Sequence, residues 1–184
     1  MTIQTKYLDK LKHDQTFVHI IIDKYEESHY GFIIDFNNEL LSIERFNSDF
    51  NYDGFVVVKR ESISKIRWGG NDIISTSILI DESKRSKNLH NVDITSIATA
   101  LRSMHDSFGH ITVFMQDIDI NQFYVGQIHE MDNETLVINE FGTKGTLDRN
   151  FSLLDVEEIT RVDAGGQYEN NLTRLFFGKR DNRT

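Results

Sequence analysis

The chain has 184 residues, a net charge of -9, and neither cysteine nor proline. That length fits one domain or two small ones. The acidity argues against a general nucleic-acid binder, which needs a positive field to displace counterions. Without cysteine there is no disulfide, thiolate nucleophile or cysteine metal site. No run has signal-peptide or membrane-spanning character, so a soluble, cytoplasmic chain with no membrane partner is expected.

Residues 3–13 place Ile3, Tyr7, Leu8 and Leu11 on one face of a short amphipathic helix. Phe17 to Asp23, Tyr30 to Phe36, Leu40 to Phe46, Phe55 to Val58 and Ile63 to Trp68 read as strands, with Asn37-Asn38 as a turn. Gly69-Gly70-Asn71-Asp72 is a further turn, and the β-branched run Ile73 to Ile80 predicts a last strand. A charged linker is expected at 83–92. Asp93 is the predicted N-cap of a second helix, with Ile94, Ile97, Ala98, Leu101, Met104, His105 and Phe108 as its buried stripe and Gly109 as its stop. Strands then follow at Ile111 to Ile118, Tyr124 to Met131, Thr135 to Phe141, Phe151 to Val156 and Ile159 to Val162. Asn171 to Phe177 matches the run predicted as the first copy's last strand, and a basic tail is expected at 179–184.

The chain is one β unit written twice. Gly31 matches Gly126, Asn38-Glu39 matches Asn133-Glu134, Leu41 matches Leu136 and Phe46 matches Phe141. After a gain of one residue, Phe55 matches Phe151, Ile63 matches Ile159, Lys65 matches Arg161, and Gly69-Gly70 matches Gly165-Gly166. The gain falls in polar turn residues between Phe46 and Gly54, where a loop absorbs it; inside a strand it would turn the buried face outward. The expected fold is mainly β: two tandem five-stranded small barrels, each preceded by a short helix, over 1–82 and 93–178.

This order of elements resembles that of the Sm and Sm-like small barrels, over about three quarters of the chain. Gly31, Ile33 and Phe36 fit the first Sm motif, with Asn37 where Asp is usual; Gly126, Ile128 and Asp132 fit it in the second copy, with Met131 at the aromatic place. Leu41 and Leu136 stand where the family has a strand-three Asn. The second motif, Ile-Arg-Gly, survives as Ile66-Arg67 with Trp68 before Gly69, and loses its arginine at Val162-Asp163-Ala164-Gly165. In that family the Asn and Arg bind uridine-rich RNA, so the resemblance implies the fold without most of the RNA site. It also implies pairing through strand edges, within the chain as a pseudo-dimer and between chains, three of which would make a six-barrel ring.

Candidate chemistry is sparse. Arg67 and Trp68, with Lys65, Lys59 and Arg60, form a possible stacking-and-phosphate site for a single strand; the competing reading is a half-buried tryptophan among solvated cations. Asp117-Ile-Asp119-Ile-Asn121 opens like a calcium loop but has Gln122 and Ile128 where glycine and a bidentate glutamate belong. The seven histidines show no zinc spacing. His105-Asp106-Ser107 has triad residue types in a contiguous run, which cannot converge as a triad does. No nucleophile elbow, phosphate loop or cofactor motif is present. The reading is a non-enzymatic interaction protein with no cofactor, binding a protein partner or itself; the alternative is RNA or single-stranded DNA binding through the first barrel.

Overall fold

A computed structural model describes residues 2–80, 85, 92–141 and 149–178. The chain divides into two compact units, Met1–His90 and Asn91–Thr184. Of the expected linker, only Arg85 and Val92 are among the described residues, and the expected basic tail lies outside them.

The first unit opens with α1 (Ile3–His13), capped by the Thr2 side chain on the Thr5 amide, and it buries Leu8 and Leu11. Strands β1 (Phe17–Ile22), β2 (Glu27–Phe36), β3 (Leu40–Phe46), β4 (Tyr52–Lys59) and β5 (Lys65–Arg67) follow, and α2 (Asn71–Leu79) closes it. The second unit repeats this as α3 (Ile97–Phe108), β6 (Ile111–Phe114), β7 (Phe123–Met131), β8 (Thr135–Glu140), β9 (Phe151–Asp155), β10 (Arg161–Ala164) and α4 (Gln167–Gly178). Within the units the strands are antiparallel, in the orders β5-β1-β2-β3-β4 and β10-β6-β7-β8-β9. The mainly β, antiparallel expectation holds, but the expected barrels are not closed: in neither unit do the two end strands of that order pair with each other among the described residues, so the ladders leave each sheet open.

The repeat reaches the hydrogen-bond register. Gly31 pairs with Arg45 and Gly126 with Glu140, and each strand has a bulge two residues on, at Ile33/Asp35 and Ile128/Glu130. A Cβ on Gly31 would lie 2.0 Å from the Glu44 carbonyl oxygen, and one on Gly126 would lie 2.1 Å from that of Asn139. Each glycine is therefore required by the close approach of the next strand. The turns after β2 and β7 are held alike: Asn37 Oδ1 accepts the amides of Glu39 and Leu40 (2.8 and 2.7 Å), and Asp132 Oδ1 accepts those of Glu134 and Thr135 (both 2.8 Å). Those amides hold the Asp132 carboxyl below the usual range. Asn and Asp are interchangeable here because the turn needs only an acceptor. Further on, Ile43 pairs with Val56 and Ile138 with Ser152, which puts the one-residue gain between Phe141 and Phe151.

The first sheet is apolar on both faces. Val18, Ile20, Ile33, Ile43 and Val56 pack with Leu8 and Leu11 of α1 on one side, while Phe17, Phe32 and Phe46 pack with Ile73 and Ile80 on the other. Four sequence expectations are corrected here. The runs at Ile73 to Ile80 and Asn171 to Phe177 are helical, in α2 and α4, rather than strands. In α2, Thr76 and Ser77 return their hydroxyls to the carbonyls of Asp72 and Ile74. In α4 the buried pair Leu172 and Phe176 lies at helical i, i+4 spacing. The cap of α3 is Ser96, whose side chain accepts the Thr99 amide (3.1 Å) in a capping box; Asp93 instead accepts the amide and hydroxyl of Thr95. Strand β6 ends at Phe114, because Met115 begins a turn. The stop at Gly109 takes the left-handed conformation that glycine tolerates, φ +75°.

Candidate functional site

The five cationic and aromatic residues singled out in the sequence fall into two groups. Lys65 and Arg67 lie on β5, which pairs with β1, and Trp68 follows them. Arg67 donates from Nη2 to Asp72 Oδ2 of α2 (3.3 Å), and its Nη1 lies 3.3 Å from His19 Nδ1. As the acceptor of that contact, His19 carries its proton on Nε2, which is buried without a hydrogen-bond partner. Its ring stacks on Tyr30 at 4.0 Å and 7°. Burial, then the Arg67 charge, pushes the His19 pKa down. Arg67 thus ties β5 to β1 and α2.

Lys59 ends β4 and Arg60 begins the next turn. The Arg60 guanidinium donates to the Asn37 carbonyl and to Gln4 Oε1 (2.9 Å) and covers the Phe36 ring. It fastens the β2–β3 turn to α1. Trp68 is half exposed and leans on Tyr7, with ring centroids 5.8 Å apart. These two rings flank a groove of about 240 Å³ between α1 and β5, floored by Leu8, Leu11, Ile63 and Ile66, with Lys65 at its side.

The second unit fills the corresponding place. By register, Ile20–Ile66 corresponds to Val113–Val162, so Ala164 stands for Trp68 and Asp163 for Arg67; by the buried helix pairs, Ala100 stands for Tyr7. Both alanines are fully buried. Arg161 pairs with Asp163 (2.9 Å) and lies over the Phe114 ring at 3.4 Å. Behind them Thr112 donates to Glu169 of α4 (3.1 Å). His110 Nε2 accepts the Gly165 amide (3.1 Å), and its Nδ1 lies 3.2 Å from Thr173 Oγ1. Burial, with His105 second, pushes the His110 pKa down to about 4. This polar set positions α4, where the first unit uses Phe17 and Ile73.

A second surface was missed in the sequence. Strand β9 is an edge: it ends its unit's order and pairs with β8 alone among the described residues. Phe151 and Leu153 point outward from it, 61% and 75% exposed, whereas their matches Phe55 and Val57 are 1% and 0% exposed. Phe151 meets the His129 ring edge-on, with centroids 4.9 Å apart. The matched text F-V-V-V and F-S-L-L carries no sign of this difference beyond Ser152.

The remaining candidates resolve into structure. Asp119 Oδ1 accepts the Asn121 amide (2.9 Å) in a turn, and no group of three or more histidine and acidic side chains among the described residues is arranged to hold a metal. His105, Asp106 and Ser107 are consecutive on α3; His105 Nδ1 lies 3.8 Å from Asp106, and burial still lowers its pKa. Gly69 and Gly165 turn the chain into α2 and α4 at φ +75° and +74°. No helix among the described residues is long and apolar enough to cross a membrane. No protein-family model matches the chain, and no curated protein or solved structure matches it significantly.

Proposed function

We propose that this chain is a non-enzymatic, cytoplasmic interaction protein made of two Sm-like units, and that it works by adding a strand to the exposed edge of β9. The observation that carries this reading is the outward pair Phe151 and Leu153 on a strand that pairs on one side only among the described residues. An edge strand with large exposed apolar residues is a pairing site unless it is blunted, and β9 has neither proline nor lysine to blunt it. The Sm-like assignment is supported by the twice-repeated strand order, the leading helix and the matched bulge and glycine. It concerns open sheets rather than sheets closed by a ladder.

The acidic end of β9, with exposed Asp155, Glu157 and Glu158, calls for a partner strand bearing cations. A second copy offers one in β5, with the exposed Lys65. Native mass spectrometry of protein purified at low salt tests the reading. Oligomers larger than those of Phe151→Asp/Leu153→Asp, or a stable protein complex that this variant loses, are expected for the wild type. A wild type that stays monomeric at tens of micromolar and retains no protein partner overturns it.

The second reading, single-stranded nucleic acid on the first unit, rests on the exposed Trp68 beside Lys65. It draws no support from Arg67 or Arg60, whose guanidinium groups are occupied within the unit. Nuclease-sensitive extra mass in the same spectrum would favour it, as would salt-sensitive quenching of Trp68 by oligonucleotides.

A further inference from the structure

The α1–β5 groove is apolar, and Lys65 is the one charged side chain lining it. Its volume of about 240 Å³ is below the range of about 300 Å³ or more that small-molecule sites occupy. It suits a pair of aliphatic side chains. The second unit carries such a pair in an exposed turn. In the β6–β7 connection the amides of Ile118 and Asp119 donate to the Met115 carbonyl (3.0 and 3.3 Å), and the Gln122 amide donates to that of Asp119 (2.8 Å). This tight turn presents Ile118 and Ile120 outward, 58% and 40% exposed, with Asp119 between them. The matching β1–β2 connection is a turn at Asp23–Tyr25, and it tucks Tyr25 inward instead.

We propose that Ile118 and Ile120 of one chain insert into the α1–β5 groove of a second copy, with Asp119 facing Lys65. The groove supplies apolar walls in Tyr7, Ile66 and Trp68 and one cation; the turn supplies two aliphatic side chains and one anion. The hydrogen-bonded turn is already in its binding shape, which lowers the ordering cost of association. Groove and turn lie in different units, so the contact is heterologous and propagates from chain to chain. A nucleic acid is the poorer occupant, because a phosphate backbone needs several available cations and Arg67 and Arg60 are tied down.

Trp68, the chain's only tryptophan, reports on the groove. The test titrates an acetylated and amidated synthetic peptide of residues 115–122, which keeps the Met115 carbonyl that the turn bonds to, into the full chain carrying Phe151→Asp/Leu153→Asp, so that the β9 edge plays no part. A saturable blue shift of Trp68 emission is expected. It should weaken at least about tenfold with Tyr7→Ala, from the apolar area lost, and should vanish for a peptide with serine in place of both isoleucines. The same edge-disabled chain should self-associate on sedimentation, and Ile118→Ser/Ile120→Ser should abolish that. No response up to about 1 mM peptide, an equal response to the serine peptide, a stronger response to oligothymidylate, or a monomeric edge-disabled chain would each overturn the proposal.

Discussion

Strands β4 and β9 have the same place in their units and the same register with their neighbours, yet they differ in what they show to water. Phe55 and Val57 are buried; Phe151 and Leu153 are exposed. The site beside β5 and β10 differs in the opposite sense: Tyr7 and Trp68 stand open where Ala100 and Ala164 are buried. Duplication thus kept the hydrogen-bond frame and let the side chains around it diverge. Each unit has its own exposed apolar surface, at a different place in the frame.

The frame itself should be the hardest thing to break. Gly31→Ala and Gly126→Ala each drive a Cβ into a backbone carbonyl that cannot rotate away, so each should cost about 3 kcal/mol or more. Thermal unfolding checks this, and similar losses from the two variants would confirm that both glycines do one job. Phe55→Ala should cost about 3–5 kcal/mol as a core truncation, against roughly 0.5 kcal/mol or less for Phe151→Ala. Equal costs in urea unfolding of the dissociated protein would erase the contrast between β4 and β9.

His110 sharpens the comparison further, since Phe17 holds the matched position in the first unit. Its folded pKa lies near 4, below the value of about 6.5 for an unfolded chain. The unfolded state therefore takes up the proton first. The contribution is fully present above pH ~6.5, declines as the pH falls, and is lost below about 4, amounting to ~3 kcal/mol at most. The stability difference between pH 7.5 and 4.5 should accordingly be smaller in His110→Phe than in the wild type, although that variant leaves the Gly165 amide without its acceptor. An unchanged difference would remove the histidine from the account. The smallest effect is at the helix starts: Ser96→Ala should cost about 1 kcal/mol through the lost capping box, and the exposed Thr2→Ala less. Denaturant midpoints resolve the two.

Much of this was legible in the residues. The glycine pair, the Asn37 and Asp132 turns and the one-residue gain follow from local rules about close approach, turn acceptors and loops. The strand-or-helix choice at Ile73–Ile80 was not legible from β-branching, although Leu172 and Phe176 at i, i+4 already pointed to a helix in the second copy. The cap moved from Asp93 to Ser96 because both residue types accept amides and only the reciprocal bond from Thr99 separates them. Of the candidate site, Trp68 and Lys65 are where the sequence puts them, but Arg67 meets His19, a residue 48 positions away. Spacing along the chain carries no record of such a contact.

By itself the sequence determined the repeat, its register and its five-strand plan, because these depend on side-chain period and on glycines that no other residue can replace. Only the tertiary structure decided which matched apolar residues are covered and which cations are already spent, because burial and ion pairing depend on what lies across space from a residue, and two copies of one text can have different neighbours.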